Sequence, residues 1–312
     1  MLRPALLLAT LCCAQFLAAQ SAPRPAATQA NVAYGENERQ VLDFWRAESQ
    51  RPAPLVVYFH GGGFRRGDKS NIGAGLLSRL LAAGVSVAAV NYRLVPAHPL
   101  PAAHQDACRA LQFLRSKAKE WNLDATRIGV TGSSAGAQLS LYLALHDDMA
   151  LPASPDPVLR QSTRAAAVAA ESGQTSMDMD WWAANIPGYR MPPRSREEIY
   201  GSASDAEIRA IAGDISALAL VTKDDPPLFM SYQMGPADAP PQEPQQAMQW
   251  MMHHVRFGLA LQQRMEALNL ECHLVYPGAA HPGEAARYAD SAAFLSYADS
   301  AAFLIDKLAR RR

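Results

Sequence analysis

The chain has 312 residues, of which 49% are hydrophobic and 19% are charged, and its formal net charge at pH 7 is zero. This length is sufficient for one large domain or for a domain that carries a cap. The balanced charge argues against nucleic acid as a partner and against a basic patch for a membrane surface.

The N-terminal residues have the pattern of a secretory signal peptide. The charged residue Arg3 precedes an apolar run over 5–19, which is too short to span a bilayer, and small residues follow it. We predict a signal peptide over 1–20, a flexible lead-in over 21–31 and the main folded domain, later assigned as catalytic, over 32–312. The mature protein is then secreted or periplasmic, with no stable membrane insertion. The alternative is an uncleaved N-terminal anchor.

Strand and helix patterns alternate along the predicted catalytic domain. Apolar runs predict buried strands at 55–59, 85–90, 128–130, 165–170, 226–232 and 272–276. Helical spacing is found at 73–83, 102–121, 135–146, 254–268 and from 284 onward. This alternation predicts an α/β fold with a mostly parallel sheet that helices cover on both faces. An earlier antiparallel strand is predicted near 40–45.

Residues 174–214 interrupt this alternation and predict a small cap or insertion near the site. The segment contains Trp181 and Trp182, together with several prolines and mixed charges. An indole ring in a polar loop can stack on a sugar or an aryl group, so both tryptophans are candidate substrate contacts. The alternative is that they anchor the cap in the core.

The stretch 127–136 combines a short apolar strand, a tight turn and a helix around Gly132-Ser133-Ser134-Ala135-Gly136. Gly-x-Ser-x-Gly in this context is the nucleophile elbow of the α/β-hydrolases. The sharp turn strains the serine backbone and presents the Ser134 hydroxyl at the N-terminus of a helix. Ser134 is therefore the candidate nucleophile.

Three glycines follow the buried strand 55–59 in His60-Gly61-Gly62-Gly63. Consecutive glycines are costly to order, and they suit a loop whose N–H groups must approach a ligand closely. We predict that Gly62 and Gly63, with the N–H group of Ala135, form an oxyanion hole for a tetrahedral intermediate.

A serine nucleophile needs a histidine base and a carboxylate that orients it, and in this fold the chain order is serine, acid, histidine. His281 follows the last strand across a Gly-Ala-Ala turn, where it can reach back over the sheet edge, and it is the candidate base. Among the other downstream histidines, His253 and His254 are expected at a helix start and His273 inside a strand, which indicates structural roles; His146 is also downstream.

The acid should follow the strand near 226–232. Asp238 fits that loop and is the candidate, with Glu243 in reserve. Asp224 and Asp225 precede the strand, at the wrong end of it, and are interpreted as turn formers.

The motifs His60-Gly61-Gly62-Gly63-Phe64, Asn91-Tyr92-Arg93-Leu94, Pro101 with Asp106, and Gly132-Ser133-Ser134-Ala135-Gly136 occur in the order and spacing of the hormone-sensitive-lipase-like esterases. Within that family the chain most resembles bacterial acetyl and feruloyl esterases, over about residues 32–308. The resemblance implies an α/β-hydrolase fold, hydrolysis of a small-molecule or carbohydrate ester, and no cofactor or metal. It implies Ser134 as nucleophile, His281 as base and Gly62, Gly63 and Ala135 as oxyanion hole. The family's acid often lies in His-Gly-x-x-Asp, from which the residues before Asp238 depart.

Three functions are compatible with these motifs. The leading one is a serine esterase for short acyl chains, because 174–214 lacks the long apolar face of a lipid-facing lid. The others are an amide or formamide hydrolase on the same triad and a catalytically inactive binding protein.

Near the C-terminus, the eight residues of 288–295 recur as 297–304. Nine residues are two and a half helical turns, so the two copies present their Phe-Leu pairs on opposite faces. We predict that one copy packs and the other is displaced. In the mature chain, Cys108 and Cys272 remain, and nothing in the sequence predicts a disulfide between them.

Overall fold

The computed structural model describes residues 24–279 and 298–309, with the exception of 191 and 193. The predicted signal peptide, the base His281 and the first copy of the duplicated segment lie outside the described residues.

An eight-stranded sheet forms the centre of the domain. Its strands are β1 (Gln29–Ala33), β2 (Val41–Trp45), β3 (Ala53–Phe59), β4 (Ser86–Val90), β5 (Leu123–Ser133), β6 (Ala167–Glu171), β7 (Leu228–Ser231) and β8 (Cys272–Val275). They lie in the order β1-β2-β4-β3-β5-β6-β7-β8. Both pairings of β2, with β1 and with β4, are antiparallel, and all the other pairings in the sheet are parallel. The predicted α/β fold class is confirmed.

The helices connect and cover these strands. They are α1 (Ala74–Ala82), α2 (Ala102–Ser116), α3 (Ala118–Trp121), α4 (Ala135–Leu145), α5 (Met179–Asn185), α6 (Arg196–Tyr200), α7 (Asp205–Asp214), α8 (Ala217–Leu220), α9 (Pro244–Met252), α10 (Arg256–Glu266) and α11 (Ala298–Ala309). None of the helices in this described part of the chain has the length and apolar character that a bilayer crossing requires.

Two apolar layers lie on opposite faces of the sheet. The larger layer packs α2, α4 and α10 against alternate strand residues such as Val57 and Val130. The smaller layer packs α1 and α11 against the intervening residues, such as Val56 and Ala169. Strands buried on both faces explain why β3 and β4 are continuous apolar runs.

The C-terminal helix α11 contains most of the second copy of the duplicated segment. Its Phe303 and Leu304 are fully buried against the sheet, and the Phe303 ring stacks on Phe229 at 5.7 Å. One copy of the repeat therefore packs, as predicted.

Two local expectations differ from the structure. Residues before 31 are not a free lead-in, because β1 begins at Gln29 and the Trp45 indole N–H donates to the Pro25 carbonyl at 2.9 Å. No helix is predicted from the sequence at the residues of α9. The sequence nonetheless contains a start signal for this helix. The Glu243 carboxylate caps it by accepting the N–H groups of Gln245 and Gln246 at 3.1 and 2.7 Å. Proline occupies the first turn, where it is favoured. Cys108 and Cys272 are free thiols.

Candidate functional site

Ser134 lies at the carboxyl edge of the sheet, between β5 and α4. Its backbone has φ 52° and ψ −119°, a left-handed conformation that is strained for a residue with a side chain. The Ser134 N–H donates to the Glu171 carbonyl at 2.9 Å, which ties the turn to β6. This is the geometry of a nucleophile elbow.

The two glycines of the motif allow this turn to form. A Cβ at Gly132 or at Gly136 would overlap the carbonyl oxygen of Phe59 at the end of β3. The elbow can therefore pass close to β3 only because neither position has a side chain.

The glycine-rich loop follows β3 and lies directly beside the elbow. Phe59 pairs with Gly132 across the sheet, and a Cβ at Gly61 would lie 3.0 Å from the Ser133 carbonyl oxygen. Gly62 and Gly63 have φ of 120° and 59°, which favour glycine. Within the described residues, neither the Gly62 nor the Gly63 N–H has a hydrogen-bond acceptor.

His60 supports this loop from below. Its ring stacks on Tyr92 at 4.2 Å, and Tyr92 Oη donates to the His60 carbonyl at 2.6 Å. The Arg39 guanidinium can only donate, so His60 Nε2, 3.3 Å away, must accept. The ring proton is therefore on Nδ1, which donates to the Gly61 carbonyl at 2.8 Å. Burial lowers the pKa of His60 to about 4, so the ring is a neutral structural support at pH 7.

A histidine contacts the Ser134 hydroxyl, and it is His253. The distance from Ser134 Oγ to His253 Nε2 is 2.9 Å, and His253 Nδ1 lies 2.9 Å from the Gln249 carbonyl oxygen. The sequence pattern predicts His253 at the start of a helix, with a structural role. The structure places it at the end of α9, as the C-cap residue, because the predicted helix 254–268 begins only at Arg256. The missed helix α9 is what directs the His253 ring toward Ser134.

The other histidines have different surroundings. His254 is buried, its Nδ1 accepts the Arg256 N–H at 3.2 Å, and burial lowers its pKa to about 4. His146 and His273 lie near the carboxylates of Asp214 and Glu271, at 3.3 and 2.8 Å. None of these three rings contacts Ser134.

The candidate acids have local partners of their own. Asp238 follows β7, as predicted, and its carboxylate accepts the Gly235 N–H at 2.7 Å in an exposed turn. Glu243 is the N-cap of α9. Asp225 accepts the Thr222 N–H at 2.7 Å before β7, as expected of a turn former. Within the described residues, no carboxylate contacts His253.

A cavity of about 650 Å³ opens over Ser134 and the glycine-rich loop. The insertion supplies an apolar part of its wall, namely Met177, Met179, Trp182, Ile199 and Tyr200. The insertion therefore contributes apolar side chains to the cavity although its sequence lacks a long apolar face.

The two tryptophans of the insertion differ. Trp182 lines the cavity, is 4% exposed and donates its indole N–H to the Ser176 carbonyl at 2.8 Å. Trp181 is partly buried and stacks on Phe257 at 5.2 Å, and it is not part of the described cavity wall. Neither indole is therefore exposed in a polar loop, and that prediction is wrong for both tryptophans.

Arginines form part of the cavity rim. Arg65, Arg66, Arg194 and Arg196 line it, and no described lining residue is an aspartate or glutamate. Arg194 donates to the Gly63 carbonyl and so lies against the glycine-rich loop. Among the described residues, no cluster of three or more histidine, cysteine, aspartate or glutamate side chains could hold a metal ion.

The parallel sheet, the strained serine and the adjoining glycine-rich loop define an α/β-hydrolase. A family model described as BD-FAE matches residues 42–249, more than half of the chain, and the chain belongs to this family. The predicted kinship with the hormone-sensitive-lipase-like esterases is confirmed at the level of the family.

Known proteins with related sequence or structure agree with this placement. Esterase LipI of Mycobacterium tuberculosis is 39% identical over 95 residues, which are 30% of this chain and 30% of that protein. The chain thus spans about a third of the length of the curated relatives that it matches.

Solved structures share the fold over nearly the whole chain. An acetyl ester-xyloside bifunctional hydrolase from Caldicellulosiruptor lactoaceticus has a TM-score of 0.64 at 21% identity, covering 92% of this chain and 96% of that one. A truncated carbohydrate esterase from gut microbiota has a TM-score of 0.67 at 20% identity, covering 92% and 100%. At these identities the likeness establishes the fold.

Proposed function

We propose that the protein is a serine hydrolase of carboxylic esters, with Ser134 as the nucleophile. The observation that carries this proposal is the strained serine, 2.9 Å from a histidine nitrogen, in a cavity lined by loop N–H groups that have no acceptor in the described part of the chain. A hydroxyl, a base and preorganised donors are the components that acyl transfer to water requires.

The reaction proceeds in two halves. Ser134 Oγ attacks the ester carbonyl carbon while a histidine takes its proton, and the carbonyl oxygen becomes an oxyanion that accepts the N–H groups of Gly62, Gly63 and Ala135. The C–O bond then breaks, the alcohol leaves with the proton from the histidine, and an acyl-enzyme remains. Water, deprotonated by the same histidine, releases the acid and restores Ser134.

The resemblance to the family assigns the base to His281, which is outside the described residues. Asp238 is the candidate for the orienting acid because it lies on the loop after β7.

Short acyl chains, from acetyl to about butyryl, are the proposed substrates. A lipase that works at a lipid surface exposes an apolar patch around its site. In the described part of this chain the exposed large apolar side chains are Leu151 and Met248, and neither lines the cavity. The arginine rim also favours a polar substrate. Small acetylated carbohydrates or aryl esters fit this description, and relatives with the fold include proteins named as carbohydrate and acetyl esterases.

Trp182 is proposed as a substrate contact and Trp181 as a residue that supports it. Trp182→Phe should change the ratio of kcat/KM values between aryl and alkyl acetates, because Trp182 lines the cavity. Trp181→Phe should leave that ratio unchanged. Equal effects of the two substitutions on the ratio would contradict this assignment.

Export is proposed from the sequence pattern of residues 1–20. N-terminal sequencing of the native protein should give a start between about Gln20 and Pro23 in a periplasmic or secreted fraction. A start at Met1 in a cytosolic fraction would contradict it.

The test of activity is a stopped-flow assay with p-nitrophenyl acetate and with esters up to palmitate. We expect a burst of nitrophenol equal to the enzyme concentration, followed by slower turnover. Among the esters, kcat/KM should be highest for those with short acyl chains. Absence of ester turnover in the folded protein would reject the esterase proposal. A rate that rises steadily to palmitate would reject the short-chain preference.

A further inference from the structure

We propose that Arg194 of the insertion is a positioning residue of the oxyanion hole, and that it holds the glycine-rich loop in the conformation that presents its N–H groups to the substrate. The inference rests on the proposed function and adds one requirement to it. The core of the domain supplies the donors of the hole, and the insertion must contact the loop for these donors to be directed correctly.

The glycine-rich loop needs support from outside because its glycines rotate freely. Gly62 and Gly63 have φ of 120° and 59°, and a residue without a Cβ has the largest conformational freedom. Each peptide group is planar, so the direction of one carbonyl also fixes the direction of the next N–H group. The loop N–H groups therefore keep their direction only if hydrogen bonds hold the carbonyls of residues 61–64.

Donors from the loop and the core hold three of these four carbonyls. They are the His60 ring at 2.8 Å from Gly61, the N–H groups of Arg65 and Arg66 at 3.1 and 3.2 Å from Gly62, and the Val95 N–H at 2.9 Å from Phe64. The remaining carbonyl, that of Gly63, accepts a hydrogen bond from Arg194 Nη1. Among the described residues, Arg194 is its only donor.

The Arg194 guanidinium lies directly against Gly63. A Cβ at Gly63 would overlap Arg194 Nη2, so the guanidinium occupies the space that a side chain would take. Burial lowers the pKa of Arg194 and the nearby Glu198 carboxylate opposes this, but a guanidinium keeps its charge in a protein. A charged donor makes a stronger hydrogen bond than a neutral one. Arg194 therefore fixes the peptide group that follows Gly63.

The Glu198 carboxylate forms a second link between the insertion and the loop. Its Oε1 lies 3.8 Å from Arg194 Nε and 3.4 Å from Nη1 of Arg65, which follows the glycines in the chain. This oxygen is buried and makes no hydrogen bond in the described structure. The two guanidinium groups therefore compensate a buried charge, and loss of either would leave it underpaired.

The segment that carries Arg194 is itself fixed to the core. Arg194 directly precedes Ser195, the N-cap of α6, whose side chain accepts the Glu198 N–H at 3.1 Å. Farther along α6, the Ile199 carbonyl accepts the N–H of Leu100 at 2.9 Å. Leu100 is 3% exposed and belongs to the larger apolar layer. The core thus determines where Arg194 meets the loop.

This arrangement predicts an effect on the chemical step rather than on substrate binding. A misplacement of about 1 Å can cost about 10²-fold in rate, and loss of one oxyanion donor costs about 10²–10³-fold. The loop donors bond most strongly to the oxyanion, which forms only after Ser134 attacks. Loss of Arg194 should therefore lower the maximal rate and leave the affinity for the ester nearly unchanged.

The test is the Arg194→Met variant in single-turnover reactions of p-nitrophenyl acetate with the enzyme in excess. We expect the maximal rate of nitrophenol release to fall about 10²-fold, and the enzyme concentration for half the maximal rate to change less than about threefold. Inhibition by 1,1,1-trifluoroacetone should weaken by a factor similar to the loss of rate. Its adduct with Ser134 places an oxyanion in the same hole.

Arg109→Met is the matched control for general destabilisation. The Arg109 side chain is 31% exposed, donates to the Tyr34 carbonyl at 2.9 Å and pairs with Asp156 at 2.8 Å, outside the cavity. This variant should keep the wild-type rate within about twofold. Arg194→Lys retains a charged donor and should recover at least about tenfold of the lost rate.

The outcomes separate a positioning role from the alternatives. An unchanged maximal rate in Arg194→Met, or a raised half-saturating concentration with that rate kept, would overturn the inference, as would an equal loss in Arg109→Met. If Arg194→Met does not fold, Arg194→Lys decides. A partial loss of rate with unchanged half-saturation supports the inference, and the wild-type rate overturns it. Absence of turnover in the wild-type protein, or turnover by Ser134→Ala, would reject the proposed function instead.

Discussion

The nucleophile side and the histidine side of the site are encoded in different ways. Ser134 and the glycine-rich loop each follow a buried strand directly, so a few adjacent residues determine their geometry. His253 reaches the same point from the end of a helix 119 residues later in the chain. The first region is local in sequence, whereas the second depends on how α9 packs. A short motif can therefore identify a candidate nucleophile when it cannot identify the histidine that contacts it.

The largest expected effect tests the local side of this comparison. Ser134→Ala should lower kcat for p-nitrophenyl acetate by about 10⁶-fold, because it removes the attacking atom and leaves only oxyanion stabilisation. Ser133→Ala, one residue earlier in β5, should retain most activity. The check is steady-state kinetics on variants with unchanged circular dichroism. An essential Ser133 with a dispensable Ser134 would contradict the elbow assignment.

The glycines of the elbow give a stability test of the same region. Gly136→Ala should lower the free energy of unfolding by about 3 kcal/mol or more, because the added Cβ overlaps the Phe59 carbonyl. Gly75 is an exposed position of α1, where an added Cβ meets nothing within 4 Å. Gly75→Ala should therefore raise the free energy of unfolding by about 0.5–1 kcal/mol. Denaturant unfolding measures both. Similar small changes at the two positions would show that the elbow is not tightly packed against β3.

Much of the fold and half of the site could be predicted from the sequence, because adjacent residues determine the strands and the elbow. Apolar runs determine β3, β4 and β5, and the glycine spacing around Ser134 predicts the elbow. The position of His253 could not be predicted, because proline and glutamine residues conceal α9. The Glu243 cap with proline after it was the available signal. Cavity residues such as Trp182 were misjudged because exposure depends on tertiary packing.

The titration of His253 sharpens the account of the histidine side. Burial lowers the pKa of His253, so the ring stays neutral to a lower pH than an exposed histidine. We expect the His253 imidazole of the folded protein to become protonated only below pH 6.5. Nuclear magnetic resonance of the imidazole nitrogens over pH 4–8 measures this. Protonation of the ring above pH 7 would contradict its burial beside Ser134.

The smallest expected effect concerns Glu171, whose backbone holds the elbow. Burial raises the pKa of its carboxyl from 4.5 to about 8, so between these values the folded protein binds a proton that the unfolded chain does not. Its contribution to stability therefore decreases as pH rises through this window. Glu171→Gln removes that dependence, and its gain in Tm over wild type should be about 3 °C larger at pH 9 than at pH 5. Glu266→Gln, at an exposed position, should change Tm relative to wild type by the same amount at pH 5 and at pH 9. A pH-independent effect of Glu171→Gln would contradict the buried carboxyl.

The most direct measurement of the central claim is covalent trapping of the nucleophile. The folded protein is treated with a small organophosphonate, and its intact mass and proteolytic peptides are determined by mass spectrometry. The account predicts one phosphonyl group per chain on Ser134, with loss of ester hydrolysis in proportion to labelling and no label in Ser134→Ala. Label on another residue, or full activity after Ser134 is modified, would contradict it.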